Sequence, residues 1–529
     1  MKKRSGILLA IAGYLALFTF HWLYCCQYDW DVTADVLLVH KYNNFSLAGV
    51  HPRAILLPVL VYPFAYFIDP LYFLIFLSAI SLAATLYLFD DILSPYVSFK
   101  IRLISAVAFV SCRAFYVTAH EMDDNFFQLP LLLLAFKIFL SRRADLYNAS
   151  LAGFITGLAA SVHIQALTFI PALAAGYFFK TAVAEGGGAK KSLKISATAV
   201  TAAIVPFGVL AAGLFYLNGE GFSAGLSSYY SDQRFSAVAR DFSLSEIILH
   251  AALYIVFTAH NLLPVPRPFS YGADLFLHSA AIFALPVFLA AVFFPAASKN
   301  KNGLESSFFR SNNALIGLAC VFNFLYEPGS HERWSTVSPF FYFNFALGLK
   351  IILDNLPAGV KGFLKKVFPA AAAAALLISA AVISTSFVYK AQSAGKDFYA
   401  YPNYSSMKAI AAACSDNEAP LIAGFDVPWM MVSYLRPGPV VYQNGSIIHE
   451  ITRGAITTYK TADDLKLYLK RFRYFYFHEA AYAFVVKHFA GASGRAVLCA
   501  ELKSDDIFND FFNTNGTHKI YRLDNTGGM

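Results

Sequence analysis

Residues 102–141 read RLISAVAFVSCRAFYVTAHEMDDNFFQLPLLLLAFKIFLS, two apolar runs joined by His120-Glu121-Met122-Asp123-Asp124-Asn125. Each flanking run, 102–119 and 126–141, approaches the roughly 20 mostly apolar residues that carry a helix across a bilayer. The basic residues sit at the far ends, at Arg102 on one side and Arg142 and Arg143 on the other, so this reads as a membrane hairpin with its acids at one face.

The same alternation extends in both directions. Apolar runs fall near 6–24, 70–89, 102–119, 126–141, 148–163, 165–180, 195–217, 273–294, 309–326, 335–353 and 368–389, which predicts about eleven transmembrane helices. Two shorter segments, 54–68 and 246–262, are interrupted by Pro or His and are read as interfacial or re-entrant helices. With those two excluded, the loops holding Lys100, Arg143, Lys190, Lys299 and Lys361 all share a face with Lys2, Lys3 and Arg4. By the positive-inside rule that face is cytoplasmic, and the opposite face receives 25–53, 120–125, 218–245, 327–334 and everything after 390. The expected location is the inner (plasma) membrane, multi-pass, with a cytoplasmic amino terminus.

Composition agrees with this reading. Of 529 residues, 57% are hydrophobic and 14% charged, with a mean hydropathy of +0.52; soluble domains carry about 25% charged residues. A disordered chain and a simple cytosolic enzyme are excluded. The net charge of +8 is spread over short loops between apolar segments, so no nucleic acid is expected as a partner. The six cysteines show neither C-x-x-C spacing nor zinc-finger His partners. The loop Glu185–Ser192 is Gly-rich but lacks the Gly-Lys-Ser/Thr order of a phosphate loop.

After residue 390 the pattern changes. Short β-type runs at 420–425, 439–442, 473–477, 496–502 and 518–523 alternate with polar helical stretches. The expected architecture is thus an α-helical polytopic membrane domain, residues 1–390, and a small extracytoplasmic α/β domain, residues 391–529.

Ionisable residues are scarce at the centres of the spans and gather at their outer ends. The first cluster is Asp29, Asp31 and Asp35, followed by His51 and Arg53; carboxylates there can act as a general base or as metal ligands. In the second, His120, Glu121, Asp123 and Asp124, the density of negative charge calls for a cation or an arginine nearby. The plainer alternative is a helix cap, with Asp123 or Asp124 at the positive end of the next helix. The third is Glu327, His331, Glu332, Arg333 and Trp334, where Arg333 offers a planar fork suited to phosphate. His163 and Gln165 lie at a tight outer turn, and Arg113, in the outer half of its span, needs an acidic or phosphate partner. The loop 229–241 is long and polar enough to act as a lid.

This order of elements resembles the C-type glycosyltransferase (GT-C) superfamily: a first span, an acidic outer loop with an interfacial helix, a second acidic motif after the third span, and a soluble domain at the carboxyl end. The motifs His51-Pro52, His163-Ile164-Gln165 and Glu327-Pro328…Glu332-Arg333-Trp334 are similar to those of bacterial members. The resemblance implies transfer of a sugar from a polyprenyl-phosphate-linked donor to an acceptor, glycan, lipid or protein, at the outer face of the bilayer. It implies catalytic roles for Asp29, Asp31 and Glu121, with an acid taking the proton of the acceptor hydroxyl and inversion in one displacement. Arg333, with His51, Arg53 or His331, would hold the departing phosphate; Asp123, Asp124, His120, Glu332, Glu327 and His163 would support the site. Asp31, Glu121 and Asp124 are the candidates for a divalent cation, magnesium or manganese. Asp29 is followed by Trp30 rather than Glu, and a Trp-Trp-Asp signature is absent, so the identity of the base stays open. Two other readings remain: a transporter or flippase of lipid-linked or small substrates, which the lack of an internal repeat and of midplane charge disfavours, and a non-catalytic component of cell-envelope polymer assembly.

Overall fold

The computed structural model describes residues 2–24, 36, 54–141, 143–184, 186–218, 331–393, short pieces between 258 and 320, and five strands in the carboxyl-terminal part. The chain divides into two compact units, Met1–Phe20 with Asp35–Thr385, and His21–Ala34 with Ser386–Met529.

The first unit is helical. Its described helices are α1 (Lys2–Tyr24), α2 (Leu56–Val61), α3 (Pro70–Leu93), α4 (Phe99–Ser111), α5 (Arg113–Glu121), α6 (Asp124–Ser141), α7 (Leu146–Val162), α8 (Phe169–Phe179), α9 (Ala189–Asn218), α10 (His331–Ser335), α11 (Ser338–Asn355) and α12 (Ala358–Ser393). Asp69 caps α3 through Leu71 N at 2.9 Å, with Pro70 at the first helical position, where a missing N–H costs nothing. Asp145 caps α7 in the same way through Asn148 N at 2.8 Å.

Three of the described elements depart from the simple span pattern, one of them α12, bent by 55° between Phe368 and Ala370. The run 102–119 is broken at Cys112, where α4 and α5 meet at 62°. The run 165–180 is a 3₁₀ turn (Ile164–Thr168), then the 11-residue α8, then a π turn (Lys180–Ala184). Among the described residues two helices are long and apolar enough to cross a membrane, or four if each of two bent pairs is one span. The expected runs 273–294 and 309–326 lie mostly outside the described residues.

Aromatic packing ties the helices together. Phe89 of α3 stacks on Phe109 of α4 and on Phe343 of α11, each at 4.9 Å between ring centroids, and Phe109 meets Phe115 of α5 at 4.4 Å. Phe115 in turn meets Phe126 of α6 edge-on at 6.0 Å, so rings flank both sides of the acidic turn. Such pairs contribute about 0.5–1.5 kcal/mol each beyond burial. Where apolar burial distinguishes little between lipid and protein, close contact and small residues do the packing. Helices α7 and α9 illustrate it: an added Cβ at Gly153 would stand 2.2 Å from Ala199 O, and one at Gly157 2.1 Å from Ala203 O.

At the end of α3 and α6 remote from the acidic turn, Arg102 Nε lies 2.5 Å from Asp90 Oδ1 and Lys137 Nζ 2.5 Å from Asp91 Oδ2. Lys137 therefore has a carboxylate partner as well as a route to solvent.

In the second unit the strands β1 (Leu421–Ala423), β2 (Val440–Tyr442), β3 (Tyr474–Phe477), β4 (Arg495–Lys503) and β5 (Thr517–Asp524) form one sheet in the order β2-β1-β3-β5-β4. β1 runs parallel to β2 and β3, while β5 is antiparallel to β3 and β4. The strands coincide with the five β-type runs of the sequence; the helical stretches between them lie outside the described residues.

Candidate active site

The acidic turn joins α5 to α6 in two residues. Met122 adopts the left-handed conformation at φ 54°, and the N–H groups of Met122 and Asp123 both return to Thr118 O, closing α5. A side chain in that region costs about 1–2 kcal/mol, which the burial of Met122 and the two hydrogen bonds offset. Asp123 then starts α6: its Oδ1 accepts from Asn125 N at 2.6 Å and its carbonyl accepts from Phe126 N at 2.9 Å. The capping reading thus applies to Asp123. Asp124 occupies the first helical position, where the positive end of the helix favours a carboxylate.

Asp124 is 1% exposed, and the group facing it is His163, also 1% exposed, with Nε2 3.9 Å from Asp124 Oδ2. His163 Nδ1 accepts from Gln165 N at 3.3 Å. A ring nitrogen that accepts carries no proton, so in the neutral imidazole the proton lies on Nε2, towards Asp124. Two residues on, the Gln165 carboxamide meets Arg333 twice: its Nε2 donates to Arg333 O at 3.2 Å, and Arg333 Nη1 donates to its Oε1 at 3.5 Å. Thr336 Oγ1 donates to the same Arg333 carbonyl at 3.1 Å. Arg333 is 5% exposed and Gln165 3%. The short helix α10 that carries Arg333 packs against α5 and α6.

Three stretches separated by dozens to hundreds of residues thus meet in one buried place: the α5–α6 turn, the turn after α7, and α10. His120 and Glu121 end α5 and are buried there. Glu332 sits half-buried beside Arg333, and its carbonyl accepts from Ser335 Oγ at 2.7 Å. His331 belongs to α10 by its backbone. Asp29, Asp31, Asp35, His51, Arg53, Glu327 and the 229–241 loop lie outside the described residues. Arg113, for which an acid or phosphate is expected, donates from Nη1 to Asn261 Oδ1 at 3.1 Å. Among the described residues no group of three or more His, Cys, Asp or Glu is placed to hold a metal ion; of the three expected ligands, Glu121 and Asp124 are described and Asp31 is not.

Sequence reasoning assigned no role to the amides. Gln128 Nε2 donates to Asn125 Oδ1 at 2.7 Å, and Asn125 Nδ2 lies 3.4 Å from Asp124 Oδ1, so a buried amide ladder leads from the acid into α6. Its signal was the one-turn spacing of Asn125 and Gln128 directly after the acids.

The fold is similar to those of solved C-type glycosyltransferases. ArnT from Cupriavidus metallidurans, bound to undecaprenyl phosphate, superposes with a TM-score of 0.61 at 10% identity, covering 99% of this chain and 99% of that chain. The oligosaccharyltransferase of Archaeoglobus fulgidus, complexed with zinc and sulfate, gives 0.53 at 12% identity over 90% of this chain and 69% of that one. The arabinofuranosyltransferase AftD from Mycobacteria gives 0.51 at 15% identity over 98% of this chain and 41% of its own. By sequence, no family model and no curated relative matches.

Proposed function

We propose that this protein is a membrane glycosyltransferase that moves a sugar from a polyprenyl-phosphate donor to an acceptor at the extracytoplasmic face, with inversion at the anomeric carbon. The observation that supports it most is the gathering of Asp124, His163, Gln165 and Arg333 from three distant stretches into one buried cluster at helix ends. A lipid-linked donor keeps its chain in the bilayer and its phosphate at the interface, so its site has to be built from helix ends. The bound ligand of ArnT and the shared fold favour the same donor class.

In this reading the acceptor hydroxyl oxygen attacks the anomeric carbon while the bond from that carbon to the phosphate oxygen breaks. The electron pair leaves with the phosphate, and the hydroxyl proton passes to a carboxylate. Asp124 is the acid within the cluster, and Glu121, buried at the end of α5, is the nearby alternative; Asp29 and Asp31 are candidates from the sequence. Arg333, with His51, Arg53 or His331 as sequence candidates, neutralises the charge that grows on the phosphate, an interaction stronger in the transition state than before it. A divalent cation would need Asp31 or another ligand beyond Glu121 and Asp124, and no step above depends on one.

The test is transfer itself. The full chain, reconstituted in proteoliposomes, is given a panel of radiolabelled undecaprenyl-phosphate sugars and an envelope extract as acceptor. The reading requires transfer from at least one donor and its loss in Arg333→Ala. Label that stays on the donor throughout, or transfer equal in the variant, refutes it.

A further inference from the structure

We infer that Gln165 is a positioning residue for Arg333, and that the His163–Gln165 turn holds the acid helix and the phosphate-binding guanidinium in register. The inference rests on the donor reading above and extends it to a residue that makes no use of charge. Arg333 sits on α10, a helix of five residues. Its carbonyl is held by Gln165 Nε2 and Thr336 Oγ1, and its Nη1 reaches Gln165 Oε1. One neutral carboxamide therefore holds both the backbone of Arg333 and one edge of its guanidinium without adding a negative charge beside it. A carboxylate in the same place would hold the edge equally well and neutralise it.

Gln165 is itself fixed from both sides. Its backbone N–H is held by His163 Nδ1 at 3.3 Å, and its carbonyl accepts from Thr168 Oγ1 at 2.8 Å. Because the other nitrogen of the same imidazole faces Asp124, the turn links the start of α6 to α10 through three consecutive residues. Hydrogen bonds to charged groups are worth more than neutral ones when buried, and an immobilised guanidinium loses less freedom when it meets a phosphate.

The experiment measures undecaprenyl phosphate binding to the purified full chain in detergent, for wild type, Gln165→Met, Gln165→Glu, Arg333→Ala and the Gln165→Met/Arg333→Ala double variant. Methionine keeps the length and bulk of glutamine without its hydrogen bonds. The expected result is about tenfold weaker binding in Gln165→Met, a greater loss in Gln165→Glu, and no further loss when Gln165→Met is added to Arg333→Ala. A purely structural glutamine would instead give equal losses in both backgrounds. Wild-type binding in Gln165→Met, or additive losses, overturns the positioning role while leaving the donor reading intact. Binding absent from wild type, or unaffected by Arg333→Ala, overturns both. Should Gln165→Met fail to fold, Gln165→Asn, one methylene short of Arg333, takes its place in the cycle with the same expectations.

Discussion

Asp123 and Asp124 are chain neighbours with different surroundings, and they should respond differently to substitution. Asp123 spends its Oδ1 on Asn125 N as a helix cap. Asp123→Ala should therefore lower stability by about 1 kcal/mol, read as a drop in thermal midpoint that Asp123→Asn or Asp123→Ser largely avoids. Asp124 faces His163 from a buried position at the start of α6. Asp124→Asn keeps the shape and should leave the midpoint within a few degrees while transfer falls by on the order of 10²–10⁴, the usual worth of a proton-transfer group. Near-wild-type transfer in Asp124→Asn would remove this acid from the mechanism and shift attention to Glu121, Asp29 and Asp31. At this scale the sequence exposed charge well, because acids and an arginine in apolar surroundings stand out. It marked Gln165 by its turn and motif but gave it no role, and it was silent on the Asn125–Gln128 ladder, because neutral amides carry meaning only through the partner each one meets.

At the scale of elements, the contact between α7 and α9 has no room for a methyl group. Gly157→Ala should force the helices apart and cost about 1–3 kcal/mol, the range for overpacking. Gly213→Ala, on α9 with nothing within 4 Å of its added Cβ, is the control and should be neutral or slightly stabilising. Equal midpoints for the two variants would contradict the close approach. Helices and strands were legible to different depths. Runs such as 70–89, 148–163 and 195–217, and the five β-type runs, coincide with elements because periodicity and apolar length are local properties. The 62° break at Cys112 was not legible, since neither Pro nor Gly marks it. The same holds for the 3₁₀ and π turns around α8: the first closes on a local bond, Thr168 Oγ1 to Gln165 O, and the second is met by a tertiary one, Lys180 Nζ to Phe139 O.

At the scale of the molecule, the two ends of the helical unit differ in chemistry. The acidic turn and Arg333 lie at one end of α6, and Lys137 with its Asp91 partner about 20 Å along it, at a rise of ~1.5 Å per residue. The loop charges predict that the acidic end is extracytoplasmic, together with everything beyond 390. Phosphatase and fluorescent-protein fusions after residue 400 check this: phosphatase activity with a dark fluorescent reporter is expected, and the converse would invert the topology. The central claim, however, concerns the place of the donor's phosphate. A cryo-electron microscopy structure of the full chain with undecaprenyl phosphate tests it most directly. Phosphate density is expected within hydrogen-bonding distance of the Arg333 guanidinium, beside Asp124 and the His163–Gln165 turn. Density for the headgroup elsewhere on the protein, with the contacts between Arg333 and Gln165 unchanged, would contradict it.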